Sequence, residues 1–336
     1  MPSLKRVVVT DHIVEPLDVE RSVLETVASV EALDLRSASE LDGRIEDADA
    51  LMVYHYVRLG REIIERLQTC RVIVRPGVGF DNIDIVAARE RGIPVCNVPD
   101  YGTEEVADST LGMALSLARG IHHFDTRLRR GNDLWSPVIG APIHRLRDQV
   151  YFIVGLGRIG SAVAVRAKAF GFDVAFYDPY VKDGLDKALG IRRVERLEEG
   201  LSSAMIVSLH CPLDTATRHL IDAPALAALP RGAFLVNTAR GGVVDSAAVV
   251  DALASGRLGG AALDVLEQEP PDPQSPLIRA WRDPHHPAHD RLILNPHGAF
   301  YSEEGTTEFR RKGALEVRRA LLGEPLRNVV NQVFPS

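Results

Sequence analysis

Short apolar runs alternate with helically spaced apolar stripes along most of the chain. Residues 6–10, 50–54, 71–74 and 93–97 are rich in Val and Ile, as strands buried on both faces are. Between them, residues 60–67 and 84–91 place apolar side chains at helical intervals. This βα rhythm predicts a small parallel sheet with helices on both faces. Pro99 and Gly102 then break the pattern. Thr103 is placed to cap a helix whose first turn carries Glu104 and Glu105, the favourable charge at the positive end of a helix dipole. That helix is expected to reach about Arg119, with Gly120 as its stop.

A second, stronger rhythm follows. Residues 150–154, 174–177, 205–209, 233–237, 260–263 and 292–294 read as strands. The helix expected at 159–170 carries Ile159, Val163, Ala167 and Phe170 on one stripe. A last helix is expected at 303–322, docking back on the first sheet. The proline-rich stretch 270–291 reads as one long loop. It contains His285-His286-Pro-Ala-His289, which is read as surface rather than as a metal site, because the cluster lacks a complete ligand set.

Composition narrows the classes. A chain of 336 residues exceeds what one core usually supports, so two domains are expected. The net charge of −7 and the lack of a basic face argue against nucleic acid or an anionic membrane as partner. Arg127-Leu-Arg129-Arg130 reads as a solvated helix end. Cys70, Cys96 and Cys211 are widely spaced without a Cys-x-x-Cys, which suggests core filling in a reducing compartment. No signal-like block and no long apolar run stand out, so a cytoplasmic protein is expected.

The chemistry starts at Gly155-Leu-Gly157-Arg158-Ile159-Gly160, set between a buried strand and a helix start. Gly155 permits a tight turn, Gly157 lets backbone approach a pyrophosphate, and Gly160 lets the helix pack close. Asp178, 18 residues beyond Gly160 at the end of the next strand, is placed to accept from a ribose 2′-OH. A carboxylate there repels a 2′-phosphate, so NAD is the expected cofactor. Arg240, Glu269 and His297 each follow a strand's C-terminal end, where open α/β sheets bind ligands. Singly, each has an ordinary alternative: a surface ion pair, a solvated carboxylate, a loop cap. Together on one sheet edge they suggest an acid–base site.

These residues carry a resemblance. The chain resembles the NAD-dependent D-isomer-specific 2-hydroxyacid dehydrogenases, and among them the C-terminal-binding-protein-like branch. The resemblance runs through Arg75-Pro-Gly-Val-Gly-Phe-Asp-Asn-Ile-Asp-Ile85, Cys96-Asn-Val-Pro99, Glu105-Val-Ala-Asp-Ser-Thr110, Gly232-Ala-Phe-Leu-Val-Asn-Thr-Ala-Arg-Gly-Gly242, Gly260-Ala-Ala-Leu-Asp-Val265 and Pro296-His297. It implies an α/β architecture of two doubly wound parallel-sheet domains. A Rossmann NAD domain (101–301) would be inserted into a flavodoxin-like substrate domain (1–100 plus 302–336). It also implies that Arg240, Glu269 and His297 form the catalytic set. Arg158, Ile159, His210, Cys211, Pro212, Thr238, Arg240, Asp264 and His297 would line the cofactor, with Asp264 holding the nicotinamide carboxamide. The N–H groups of Gly77-Val78-Gly79 would meet the substrate carboxylate, and His55, Arg75, Arg240 and Phe300 would edge its pocket. A homodimer is expected on the same ground.

The implied reaction interconverts a small 2-oxo acid and a D-2-hydroxy acid. Arg240 would bind the substrate, His297 would act as acid or base, and Glu269 would favour its imidazolium. Three departures stand out. Phe300 takes the place of a pocket tryptophan. The 270–291 stretch is long and could reach the pocket mouth. The chain ends about 14 residues after the last expected helix, so the corepressors' long tail is not expected. The alternative is an NAD-sensing interaction protein with little turnover. Formate or phosphite oxidation is disfavoured, because the formate branch carries Gln where Glu269 stands.

Overall fold

The structure is a computed structural model describing residues 4–131, 135–140 and 142–333. The outermost residues of both termini, read above as chain ends, lie outside the described residues. The chain divides into two compact units, residues 1–102 with 301–336, and residues 103–300.

In the first unit the order is β1 (Lys5–Val9), α1 (Asp18–Leu24), β2 (Ala28–Ala32), β3 (Ala50–Met52), α2 (Arg61–Ile64), β4 (Val72–Arg75), α3 (Ile85–Glu90) and β5 (Val95–Asn97). The strands form one parallel sheet in the order β2-β1-β3-β4-β5, the flavodoxin-like arrangement. Asp84 caps α3 by accepting from the N–H groups of Val86 and Ala87. The C-terminal segment covers the open edge of β5: Val330 N–H donates to the Val95 carbonyl, and Asn331 bonds both Val95 N–H and the Ile93 carbonyl.

The second unit runs α4 (Thr103–Ala118), α5 (Ile121–Arg129), β6 (Val150–Val154), α6 (Arg158–Ala169), β7 (Asp173–Tyr177), α7 (Leu185–Leu189), β8 (Arg192–Arg193), α8 (Leu197–Ser203), β9 (Ala204–Leu209), α9 (Ala223–Ala228), β10 (Ala233–Asn237), α10 (Ser246–Ala254), β11 (Leu258–Leu263), α11 (Pro276–Arg282) and β12 (Leu292–Leu294). Its seven parallel strands lie in the order β12-β11-β10-β9-β6-β7-β8. The winding reverses between β6 and β9, and open α/β sheets bind ligands at such a reversal. Both faces are buried. Phe152 and Val154 of β6 enter one core, while Tyr151 and Ile153 enter the other.

The pattern reading of 270–291 as one long loop is corrected here. Residues 276–282 form α11, and 289–291 form a short 3-10 turn. Ser275 caps the helix by accepting from Ile278 N–H, and Pro276 stands in its first turn. A proline there loses no helical hydrogen bond and pre-sets the backbone, so it starts a helix rather than breaking one. Leu277 and Ala280 are buried and Trp281 packs against the same core. The strands β2 and β8 are also additions, and α2 is shorter than the 60–67 expected.

The final helix, α12 (Glu303–Leu322), belongs to the first unit and packs on α1, β3 and β4. Its approach is close: a Cβ at Gly313 would stand 2.9 Å from Pro76 Cγ. Arg310 closes a bidentate pair with Glu20, which is fully buried (Nε–Oε1 2.8 Å, Nη2–Oε2 2.7 Å). Removing one partner of a buried pair strands the other charge. Arg310→Met is therefore expected to cost roughly 3–5 kcal/mol. Thermal unfolding of the variant would reveal this as a clear fall in Tm, and an unchanged Tm would contradict it.

Candidate active site and dinucleotide turn

The turn after β6 is shaped by close contacts that only glycine allows. Gly155 has φ +91°, and a Cβ there would lie 2.7 Å from Cys211 N. A Cβ at Gly160 would lie 2.1 Å from the Gly155 carbonyl oxygen, so α6 sits directly on the turn. Gly157 differs: nothing lies within 4 Å of its Cβ position. It is the N-cap of α6 and makes no side-chain cap bond. An open, uncapped helix start fits the pyrophosphate of a dinucleotide.

Asp178 stands at the end of β7. Its Oδ2 accepts from Leu156 N–H (2.8 Å) and its Oδ1 from Tyr180 N–H (2.9 Å). The carboxylate thus holds the glycine turn while keeping lone pairs for a hydroxyl donor. His210 follows β9 and donates its N–H to the Val154 carbonyl (2.8 Å). Its Nε2 lies 3.0 Å from Ser208 Oγ, and its buried Nδ1 has no hydrogen-bond partner in the structure. Burial lowers its pKa to about 3, so the ring is neutral. An unpartnered nitrogen beside the turn also fits a polar ligand. Burial pushes the neighbouring Cys211 thiol up to about 11, which keeps it protonated and unreactive. Thr238 Oγ1 pairs with Thr110 Oγ1 (2.8 Å), so its hydroxyl ties the end of β10 to α4.

Arg240 is placed by Asn237, a buried residue that pattern reasoning passed over. Asn237 Nδ2 donates to the Arg240 carbonyl (2.9 Å), and its Oδ1 accepts from Ala239 N–H (3.0 Å). Arg240 Nη1 donates to the Ala239 carbonyl (2.8 Å). An amide at a strand end just before a turn was the available signal.

Glu269 and His297 are brought together across 28 residues of sequence: Nδ1 and Oε2 are 2.7 Å apart. The other oxygen, Oε1, accepts from Leu266 N–H (2.8 Å). Burial works to raise the Glu269 pKa. The His297 hydrogen bond and charge, Leu266 N–H and the Arg240 charge outweigh it, and the net shift is downward. The loop carrying His297 is fixed by Asp264, whose Oδ1 accepts from Asn295 Nδ2 (2.7 Å), Gly298 N–H (2.8 Å) and Ala299 N–H (3.0 Å). Phe300 stands edge-on to the His297 ring, with centroids 6.2 Å apart.

In the first unit, Arg75 is buried at the end of β4, and its Nη2 lies 3.2 Å from His55 Nδ1. The guanidinium folds over Gly77, where a Cβ would stand 1.4 Å from Nη1. The following loop is held at two points: Val98 N–H donates to the Gly77 carbonyl, and Asn97 Nδ2 to that of Val78. Two neighbours escaped the sequence reading. Asp11 gathers the N–H groups of Tyr54, Tyr56 and Val57 around His55, and the His12 ring stands edge-on to His55 at 4.8 Å.

Among the described residues, no group of three His, Cys, Asp or Glu is arranged to hold a metal ion, and no helix is long and apolar enough to cross a membrane.

Fold and site together define a two-unit α/β protein with a dinucleotide turn and a carboxylate–imidazole pair on one sheet edge. The model of the D-isomer specific 2-hydroxyacid dehydrogenase NAD binding domain matches residues 111–299, more than half the chain, and the protein belongs to that family. It is 38% identical over 309 residues to D-3-phosphoglycerate dehydrogenase of Methanocaldococcus jannaschii, covering 92% of this chain and 56% of that one. It is 37% identical over 314 residues to C-terminal-binding protein 1 of Caenorhabditis elegans, covering 91% and 42%. The chain thus spans about half the length of these relatives. The D-lactate dehydrogenase of Aquifex aeolicus, solved with NAD and lactic acid, superposes with a TM-score of 0.84 at 27% identity, covering 95% of this chain and 96% of that one. The 111–299 segment is therefore an NAD-binding domain.

The low pKa of His210 has a measurable consequence. Folded, the ring protonates near 3; unfolded, near 6.5. Between those values the unfolded chain binds a proton that the folded chain does not. Stability therefore falls as pH falls below 6.5, by about 2 kcal/mol between pH 7 and 5. His210→Gln is expected to remove that part of the slope in urea unfolding. An identical slope in variant and parent would contradict the neutral, buried ring.

Proposed function

We propose that the protein is an NAD(H)-dependent oxidoreductase that interconverts a 2-oxo acid and a D-2-hydroxy acid. The observation that carries this reading is the 2.7 Å bond between His297 Nδ1 and Glu269 Oε2, on the sheet edge that also bears Arg240 and the glycine turn. Family membership supports it.

NAD(H), when bound, would supply or accept the hydride. The residues of this chain do the rest. Arg240 presents a planar fork that suits a carboxylate and the adjacent carbonyl oxygen. With Nδ1 engaged by Glu269, the proton that moves is on His297 Nε2. In reduction it goes to the carbonyl oxygen as negative charge grows there; in oxidation Nε2 takes it back. Glu269, held below the usual carboxylate range, stays ionised and balances the imidazolium. Arg158, Ile159, Asp178, His210, Cys211, Pro212, Thr238 and Asp264 are proposed to line the cofactor. His55, Arg75, Gly77, Val78, Gly79 and Phe300 are proposed to select substrate, and the working assembly is proposed to be a homodimer. The 37% identity to C-terminal-binding protein 1 supports a second reading, NAD-dependent binding with little turnover.

His297→Ala is expected to lower turnover at least ~10²-fold while NADH still binds, in a rate screen across short, branched, aromatic and phosphorylated 2-oxo acids. Parental rates in the variant would remove His297 from the mechanism. No turnover by the parent with any acid would favour the binding protein. Asp178→Ala is expected to shrink the preference for NADH over NADPH at least roughly tenfold. An unchanged ratio of kcat/KM values would refute the ribose role.

A further inference from the structure

A second imidazole–carboxylate pair stands beside the proposed catalytic one. His219 Nε2 lies 2.8 Å from Glu267 Oε2. Glu267 is two residues before Glu269, on the same turn after β11. Its other oxygen, Oε1, accepts from Ser246 N–H at the start of α10 (3.1 Å). His219 belongs to the loop after β9 and donates its own N–H to the Gly242 carbonyl (2.8 Å). One carboxylate therefore ties together the loops that follow β9, β10 and β11. Those loops carry His210, Arg240 and Glu269.

The contact beneath this junction leaves little slack. A Cβ at Gly241 would stand 1.9 Å from the Leu266 carbonyl carbon, so the Arg240 loop rests directly on the Glu269 turn. The backbone of His219 sits in the left-handed region, with φ +50°. A non-glycine residue adopts that region at a cost, and it persists where surrounding contacts hold it. Glu267 is ionised below the usual carboxylate range. Burial opposes this, but the hydrogen bonds of His219 and Ser246 outweigh it.

We propose that Glu267 and His219 form a positioning pair that holds Arg240 and Glu269 in register for the reaction. Neither is a catalytic residue. The pair acts through the turn it clamps, and the inference rests on the catalytic reading of Arg240, Glu269 and His297. Loss of the clamp lets the Glu269 turn drift, and His297 then loses the alignment of its carboxylate partner. Misplacement of about 1 Å at a reacting centre costs up to roughly 10²-fold in rate.

The test uses the full chain with NADH and the best 2-oxo acid of the screen. Glu267→Ala is expected to lower kcat roughly tenfold or more. Tm should stay close to that of the parent, because both side chains are about two-fifths exposed. Glu269 and Asp264 each interact electrostatically with His297, and the Arg240 charge acts on Glu269. With Glu269 misaligned, the imidazolium is less favoured, so the alkaline limb of kcat/KM for reduction should move to lower pH. Glu267→Gln keeps an oxygen for Ser246 N–H and an amide for His219, and should restore most of kcat and the parental limb. Parental kcat and pH profile in Glu267→Ala, while His297→Ala is impaired, would overturn the positioning pair alone. Parental rates in both variants would overturn the catalytic reading beneath it. A lower kcat with an unmoved limb and no rescue by Gln would assign Glu267 a purely structural role and also overturn the proposal.

Discussion

The candidate site depends first on a buried carboxylate that braces a loop. Asp264 ends β11 almost completely out of solvent, and one of its oxygens gathers three donors from residues 295–299. Its carbonyl also accepts from His297 N–H at 2.7 Å. These four bonds fold the segment after β12 back over β11 and hold His297 in the left-handed region, at φ +53°. An unpaired carboxylate at this depth would cost several kcal/mol. The loop therefore cannot relax without exposing or stranding Asp264. The imidazole's place is thus set by a constraint on its backbone as well as by its side-chain partner.

Two carboxylates five residues apart have their pKa values shifted in opposite directions. Burial raises the pKa of Asp264 above the usual range, and the bonds from Asn295, Gly298 and Ala299 and the charge of His297 recover only part of that. Glu269 is also penalised by burial, but it faces His297 and Arg240 and falls below the usual range. The difference lies in what each can touch. Asp264 meets mainly neutral donors in a nearly dry setting, whereas Glu269 meets an imidazole and the field of a guanidinium at a partly wet edge. The residue suited to balancing a proton at the rim is the one that stays charged with least effort.

Most of the fold was legible because its evidence is local. Strands β6, β9, β10 and β12 are apolar runs whose boundaries follow the hydrophobic pattern, and α12 spans the expected 303–322 between the caps Ser302 and Gly323. The failures have two causes: a deciding interaction that is remote, and a local signal read the wrong way. Strand β2 alternates buried and exposed residues weakly, and only pairing with β1 makes it a strand. Helix α11 looked like a loop because its prolines were counted as breakers, although Pro276 occupies the position where a helix accepts one. At the site, Arg240, Glu269 and His297 could be suspected from their places after strands. Asn237 carried only the general signal of an amide before a turn; its partners, like those of the Asp264 carboxylate oxygen, depend on which backbone groups the finished turns present.

The same logic sets the proton positions on two imidazoles. Arg75 can only donate, so its hydrogen bond to His55 requires that ring to accept at Nδ1 and carry its proton at Nε2. Glu269, ionised, can only accept, so His297 must carry a proton at Nδ1 whether or not Nε2 is protonated. One ring is thereby fixed as an N–H donor at Nε2. The other is left with Nε2 as its only exchangeable position. Exchanging the partners would exchange these states: a guanidinium at Nδ1 would discourage the imidazolium that an acid–base role requires, and a carboxylate would promote it. What distinguishes His297 from His55 as the acid–base candidate is therefore the sign of the neighbour at Nδ1, since the rings themselves are chemically the same.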